Sequence, residues 1–470
     1  MNKKKALDDM KNTIRVAEAV VEISLLTVLF YLIWRNGYGE KLFPTYYGRG
    51  KLVLMGIYAA LLVVGFHLSD CFKYGYLKLI DVILSQWIAV FLVNFIIYAQ
   101  LCLIANKIIA MFPMLVLYIA ELAVTYLCSY IYTVLYHRFY VPSNMLLIYG
   151  TEDSLDLKFK MDSRKDKYTI TEIISAEKPF DELCAAMEKH DAVIFNDIPA
   201  DLRNDLIKYC YGNGIRTYAA PKISDIIMEG SKEISLFDTP LRLIKGRGLS
   251  LPQRFLKRTL DIILCLLAMI PFMPIMALIA IAIKIEDHGP VFYKQKRVTL
   301  DGRIFEILKF RSMIVDAEKG NQVIPATGHD PRITKVGRLI RKTRLDESAQ
   351  ILNIIKGDMS IVGPRPERVE HVEKYCKEIP EFHFREKVKG GLTGYAQIFG
   401  KYNTTAYDKL RLDLMYIENY SLRLDIKLVL MTIRILLSAE STEGFEVKKE
   451  IEKKRKAFLE ETNNAHNDDC

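Results

Sequence analysis

At 470 residues, with 51% hydrophobic and 26% charged side chains, the chain is too long for one ordinary core and too apolar for a purely water-facing protein. The composition fits a membrane part joined to a water-facing part. A formal net charge of +9 suits an anionic lipid surface or phosphorylated ligands as well as nucleic acid, so charge alone does not choose among them. The eight cysteines show no CxxC or Cys/His pairing at zinc spacing, and are read as reduced or inert.

Met1 to Arg15 is basic, but no small-residue cleavage site follows, so the start reads as a retained anchor rather than a signal peptide. Four apolar runs come next: Val16 to Trp34, Leu52 to Leu68, Leu79 to Ala105 and Met111 to Tyr136. Each approaches or exceeds the ~20 residues that cross a hydrocarbon core, which predicts a four-helix transmembrane region over 1–140. Lys3, Lys4, Lys5, Lys11 and Arg15 precede it, and Lys73 and Lys78 lie in its second connection. Arg35, Lys41, Arg49 and Lys51 in the first connection weaken the asymmetry, yet on balance both ends are expected in the cytoplasm. Glu18, Glu22, Asp81 and Glu121 lie in or near these helices, and are expected at helix ends or facing the bundle interior.

From 141 to 245 short β-like runs alternate with helical ones. Met145 to Tyr149, Tyr168 to Ile174, Ala192 to Phe195 and Ile215 to Ala219 predict strands; Asp181 to His190 and Ala200 to Tyr211 predict helices. The alternation implies a small Rossmann-like α/β domain with a parallel sheet. Its first strand is followed by Gly150 and then Thr151-Glu152-Asp153-Ser154, without the glycines that would let a pyrophosphate approach, so no nucleotide is expected there.

A fifth apolar run, Ile262 to Ile283, contains Pro271 and Pro274. Each proline removes a backbone donor, which predicts a helix that breaks, enters the membrane and returns, a re-entrant hairpin over 260–285. Lys257, Arg258 and Lys284 are placed to snorkel to headgroups. The alternative is a kinked fifth spanning helix.

Lys335, Arg338, Arg341 and Lys342 then recur at helical spacing before Asp346-Glu347, and Gly363-Pro364-Arg365-Pro366 rigidly presents one guanidinium. Lys309 and Arg311 add cations on an expected strand. Paired carboxylates among cations suit Mg2+ and a diphosphate, whose charge must be neutralised before an anionic oxygen attacks it. Taken alone, the basic run and the acidic pair also fit an ordinary solvated surface.

From about Lys257 the chain resembles the monotopic phosphoglycosyl transferases, bacterial sugar transferases that begin exopolysaccharide, capsule or O-antigen assembly. The resemblance rests on Lys257-Arg258, Gly289-Pro290-Val291-Phe292, Lys309-Phe310-Arg311-Ser312-Met313, Leu345-Asp346-Glu347, Lys356 to Pro366 and Gly391-Leu392-Thr393-Gly394-Tyr395-Ala396-Gln397. It extends to Asp413-Leu414-Met415-Tyr416 and Tyr420-Ser421-Leu422. It implies a catalytic domain over 250–440 that moves sugar 1-phosphate from a UDP-sugar to polyprenyl phosphate, with Asp346 as nucleophile and Glu347 binding Mg2+ or assisting proton transfer. Arg341 and Arg365 would hold phosphate, with Lys309 and Arg311 as helpers. Implied partners are membrane lipids, further copies of the chain and downstream glycosyltransferases, with no nucleic acid, at a bacterial inner membrane.

The chain departs from the family at Ser348-Ala349, where Leu-Pro is usual, at Met273, where serine precedes the kink proline, and at Thr299 and Gly390. A second reading is therefore a catalytically impaired scaffold or regulator of polysaccharide assembly. A third, a nucleotide-sugar dehydratase or epimerase, lacks its glycine-rich loop and Tyr-x-x-x-Lys motif here. Asp425 to Leu437 reads as an amphipathic helix lying on a membrane, and 441–470 as a charged flexible tail.

Overall fold

The computed structural model describes residues 2–39, 49–139, 142–151, 155–162, 164, 167–236, 238–315, 330–400 and 404–438. Lys41, residues 152–154 and the tail 441–470 lie outside the described residues, as do the side chains of 2–12. The chain divides into two compact units, Met1–Ala220 with Ile433–Cys470, and Pro221–Thr432.

In the first unit the four apolar runs form α1 (Asn2–Gly37), α2 (Gly50–Leu68), α3 (Leu79–Ala105) and α4 (Phe112–Phe139). All four contain stretches long and apolar enough to cross a membrane. Leu26, Phe30 and Trp34 of α1 recur every fourth residue and pack with Leu54, Tyr58, Leu62 and Phe66 of α2 and Val93, Ile97 and Leu101 of α3. Val20, Val28, Val53, Val64 and Phe95 face outward, which suits lipid rather than water. Glu22 and Glu121 face the bundle interior. Gln86 donates to Glu22 at 2.9 Å, Asn94 donates to Glu121 at 2.6 Å, and the Tyr58 hydroxyl also donates to Glu121. Hydrogen bonding is what makes these buried carboxyls tolerable.

The α/β region follows as β1 (Ser143–Tyr149), α5 (Asp156–Asp162), β2 (Tyr168–Ser175), α6 (Phe180–Met187), β3 (Ala192–Asn196), α7 (Ala200–Asn213) and β4 (Arg216–Ala219). The strands pair in parallel in the order β2-β1-β3-β4. Alternation sends Met145, Leu147 and Ile194 to one face of the sheet and Leu146, Ile148, Val193 and Phe195 to the other, each with its own core. Gly150 is required because a Cβ there would run into the Asp197 carbonyl, a packing role for the glycine that ends β1.

The second unit contains α8 (Ile223–Glu229), the antiparallel pair β5 (Lys232–Ile234) and β6 (Leu241–Leu243), α9 (Leu251–Asp287), and the antiparallel pair β7 (Phe292–Val298) and β8 (Ile304–Phe310). After these come α10 (Lys335–Lys342), α11 (Gln350–Lys356), β9 (Ser360–Val362), α12 (Val369–Glu378), β10 (Gly391–Thr393), α13 (Tyr395–Phe399), α14 (Ala406–Glu418) and α15 (Leu422–Leu437), the last of which belongs to this unit as far as Thr432. β9 and β10 pair in parallel.

Where the sequence places a break, α9 is a single helical element with Pro271 and Pro274 inside it. Cys265, Ala268 and Met269 before the prolines and Met276, Ile279, Ala280 and Ile283 after them hold one packed face at three- and four-residue spacing. That packing carries the helix past the carbonyls of Leu267 and Ile270, whose i+4 donors the prolines lack. Its other face exposes Ile263, Leu266, Ile270, Met273, Leu278 and Ile281, and α9 is the fifth helix long and apolar enough to cross a membrane.

Both ends of α9 are fastened to the second unit. Lys257 is buried, donating to Asp425 at 2.6 Å and to the Tyr416 hydroxyl at 2.9 Å. Arg258 donates to the carbonyls of Ile354 and Ile355 at the end of α11. These two cations therefore do not snorkel; they satisfy a buried carboxylate and the open end of a helix. At the far end Glu286 accepts from the backbone N–H groups of Lys335 and Val336, which open α10. Asp425 likewise fixes α15 by its buried side chain rather than leaving its first turn free.

Candidate active site

On β8, Phe305 and Ile307 are buried with Cys265 of α9 and Phe310 is buried with Ile279 and Ile283, and Lys309 stands half-buried between these two clusters. Asn353 of α11 ties the strand in place, accepting from Leu308 N at 2.9 Å and donating to the Glu306 carbonyl at 2.8 Å.

Helix α10 begins at Thr334, whose hydroxyl accepts from Gly337 N at 2.9 Å. It ends at Thr343, and Arg344 then adopts a left-handed backbone with φ of 54°. A non-glycine residue there costs energy, and it turns the chain sharply into the 3-10 turn Leu345–Glu347. Ser348 closes that turn by donating to the Leu345 carbonyl at 2.7 Å, and Ala349 is fully buried beside Ile279, Phe310 and Ile340. The Ser348-Ala349 departure is thus accommodated by a local hydrogen bond and a small core residue.

This turn presents Asp346 and Glu347 to Lys309 and Arg365. Glu347 Oε1 accepts from Lys309 Nζ at 2.7 Å and from Arg365 Nη2 at 2.8 Å. Asp346 makes no ion pair among the described residues, and Arg341 acts on it through space without one. Arg311, expected beside these groups, is not brought to them. It is buried against Asp287 at 2.9 Å, and Gly289 is needed because a Cβ there would meet its guanidinium. Pro271 and Pro274 lie within α9 and take no part in the cluster.

The two carboxyls have opposite environments. Burial works against ionising Glu347, but the charges of Arg365 and Lys309 outweigh it and hold the group well below the usual glutamate range. For Asp346 burial and then the neighbouring Glu347 charge raise the carboxyl above the usual aspartate range, with Lys309 and Arg341 opposing. Burial also lowers the Lys309 ammonium. Adjacent acids pushed apart in this way are suited to different roles.

The Arg365 turn is held by its backbone. The carbonyls of Pro364, Arg365, Pro366 and Glu367 accept from Gly391 N, Arg385 Nη2, Arg297 Nη1 and Val298 N, at 2.8, 2.8, 3.1 and 3.0 Å. Four successive carbonyls are thereby fixed by three different parts of the chain. Arg385 is itself buried and paired with Asp413 of α14 at 2.7 Å. Burial raises the Asp413 carboxyl to about 6 despite the arginine. Sequence reasoning missed Arg385 and Arg297, since the charged runs in which they lie, Lys294 to Arg297 and Arg385 to Lys389, carry no signal of the carbonyl that either arginine will meet. A small cavity of about 20 Å³ beside this turn, lined by Val298, Pro364, Arg365, Arg385 and Val388, belongs to the same cluster.

Residues 252–439 match the family described as bacterial sugar transferase. The UDP-glucose:undecaprenyl-phosphate glucose-1-phosphate transferase of Escherichia coli (strain K12) is 42% identical over 211 residues, covering 44% of this chain and 44% of that protein. The UDP-N-acetylgalactosamine-undecaprenyl-phosphate N-acetylgalactosaminephosphotransferase of Aeromonas hydrophila is 37% identical over 261 residues, covering 53% and 60%. A UDP-glucose:undecaprenyl-phosphate glucose-1-phosphate transferase of Caulobacter vibrioides is 40% identical over 190 residues, covering 39% of this chain and 71% of that protein. The chain spans about half the length of the first two, at 44% and 60%. The matched residues include α9, the Asp346-Glu347 turn, Lys309, Arg365 and the clamp that holds Arg365, and on this ground the chain belongs to the bacterial sugar transferase family.

Proposed function

We propose that the chain transfers sugar 1-phosphate from a UDP-sugar to polyprenyl phosphate, releasing UMP. The observation that carries this is the pairing of Lys309 and Arg365 on Glu347, which leaves the adjacent Asp346 carboxylate unpaired within a cationic site. The names of the similar proteins, undecaprenyl-phosphate transferases for glucose 1-phosphate and N-acetylgalactosamine phosphate, support the substrate classes. The identity of the sugar is a separate property that these groups do not select.

In the first step an Asp346 carboxylate oxygen attacks the phosphorus that bears the sugar. The bond from that phosphorus to the bridging oxygen breaks, and UMP departs with the electron pair. A phosphosugar remains on Asp346. In the second step a phosphate oxygen of the lipid attacks the same phosphorus, the bond to Asp346 breaks, and the carboxylate is regenerated with a polyprenyl diphosphate sugar as product. Arg365, Lys309 and Arg341 offset the charge that otherwise repels an anionic nucleophile from a diphosphate. The ionised carboxylate is itself the nucleophile, so the attack needs no separate proton acceptor.

The carboxylate pair fits a divalent cation. Both hydrogen bonds to Glu347 fall on Oε1, so Oε2 and the Asp346 oxygens are the hard ligands left. Among the described residues no three acidic, histidine or cysteine side chains converge, so bound Mg2+ would take its remaining ligands from water and substrate phosphates. When bound, Mg2+ neutralises diphosphate charge and stabilises the leaving phosphate.

The apolar outer face of α9 supports a site at a membrane surface, with the lipid phosphate arriving in the headgroup plane. Lysines and arginines around the first helices favour a cytoplasmic placement. The test is to incubate membranes containing the protein with Mg2+, polyprenyl phosphate and a panel of UDP-sugars, and to measure UMP and lipid-linked sugar. Release with at least one donor, dependent on the lipid and lost in Asp346→Asn, is expected. Failure with every donor would favour a scaffold role in polysaccharide assembly.

A further inference from the structure

Lys309 and Arg365 meet on one oxygen of Glu347 but come from separate segments, β8 and the turn after β9. The spacing between the two cations is therefore set by whatever fastens those segments together. Arg297 and Val298 at the end of β7 hold the carbonyls of Pro366 and Glu367, which secures one side of the turn. The next residue, Thr299, secures the other.

Thr299 is 3% exposed, and its hydroxyl is used twice. It donates to the Asp358 carbonyl at 3.2 Å, past the end of α11, and accepts from Gly390 N at 3.0 Å, just before β10. Gly390 carries the connection to the turn. Its carbonyl accepts from Ser360 N of β9 at 2.9 Å, and the following N–H, that of Gly391, donates to the Pro364 carbonyl at 2.8 Å. Pro366 packs so closely that a Cβ on Gly390 would lie 3.0 Å from its ring. A displacement at Gly390 is thereby passed to both prolines that flank Arg365.

The hydroxyl is chemically specific. Valine has nearly the same shape but would leave the buried Gly390 N–H without an acceptor, whereas serine would keep one. Thr299 and Gly390 are also two of the positions at which the chain departs from its family. They lie 91 residues apart in sequence and are joined by one hydrogen bond.

We propose that Thr299 is a positioning residue for the transfer reaction. Through Gly390 and Gly391 its hydroxyl fixes the Pro364–Pro366 turn, and so holds the Arg365 guanidinium at the spacing from Lys309 at which both offset phosphate charge. The hydroxyl proton is committed to Asp358, so Thr299 acts through Arg365 and not on substrate. The proposal rests on the transfer reading and adds to it a residue outside the charged cluster.

The test compares UMP release by the full chain in Thr299→Val, Thr299→Ser, Arg365→Met and the Thr299→Val, Arg365→Met double variant. Hydrogen exchange of peptides covering 360–367 and 388–394 is followed in parallel. Thr299→Val should lower kcat about tenfold, less than deletion of Arg365, because it displaces a charge-stabilising group without removing it. Exchange should rise in both peptides, and Thr299→Ser should restore most of the loss. In the Arg365→Met background Thr299→Val should cost less than about twofold, since the group it acts through is gone. If Thr299→Val does not fold, Thr299→Cys, whose thiol is a weak acceptor, takes its place. A tenfold loss that persists without Arg365, equal behaviour of the valine and serine variants, or unchanged exchange in folded Thr299→Val overturns the proposal. Absence of UMP from the unmodified protein with every donor would count against the transfer reading instead, and exchange would still decide whether Thr299 holds the turn.

Discussion

At the scale of single residues, the proposed chemistry rests on Asp346 being ionised and unpaired while Glu347 absorbs the cations. Asp346 has a carboxyl raised above the usual range, so its reactive form is lost as pH falls through that raised value. Replacing Glu347 by Gln removes a neighbouring negative charge and frees Lys309, which lowers the Asp346 pKa, from its ion pair. The acid limb of kcat/KM should therefore move to lower pH in Glu347→Gln, and an unmoved or raised limb would refute the coupling. Arg365→Met should reduce kcat by about 10² to 10³, the usual effect of deleting one donor to developing charge. The Lys variant should recover only part of that loss, because an ammonium lacks the planar fork. The Asp346-Glu347 pair and Arg365 were legible in the sequence because each lies in a dense local motif. The pairing of Arg311 with Asp287 was not, since those residues meet only once α9 and β8 have packed.

Among the elements, the Arg365 turn and α9 make separate predictions. Arg385 bridges the Arg365 carbonyl and Asp413, and both side chains of that pair are buried. Arg385→Met leaves a buried carboxyl without its partner and should cost about 3–5 kcal/mol of folding stability, measured by denaturant unfolding. Asp413 is raised from 3.8 to about 6, so the folded protein binds that proton more tightly than the unfolded chain. Its contribution to stability is fully present below about pH 4 and is lost as pH rises through about 6. Asp413→Asn should flatten the stability curve across that window, and an unchanged slope would contradict the assignment. For α9, replacing Pro271 and Pro274 with alanine restores two donors, and the melting temperature should stay level or rise. A marked fall would mean that the packed face depends on a bend set by the prolines. Hydropathy and the two prolines located α9 but not its packed face from Cys265 to Ile283, which is defined by β8, α10 and α11. Strands β1 to β4 were legible to within about two residues because their apolar runs are short and bounded by turn residues.

For the molecule as a whole, the hybrid composition resolves into four hydrocarbon-length helices, a four-stranded parallel sheet, and a second unit built around a fifth apolar helix. Hydropathy revealed the helices, but not the buried pairing of Lys257 with Asp425, 168 residues away, since no spacing rule links them. The family was legible from the ordered motifs of the second unit, and the family match covers that same stretch. The central claim is that Asp346 carries the phosphosugar. Purified protein is mixed with Mg2+ and a UDP-sugar in the absence of lipid acceptor, and intact mass and UMP are followed together. The account predicts one equivalent of UMP and a sugar-phosphate adduct that maps to Asp346 and disappears on adding polyprenyl phosphate. UMP release that persists in Asp346→Asn, or an adduct on another residue, would contradict it.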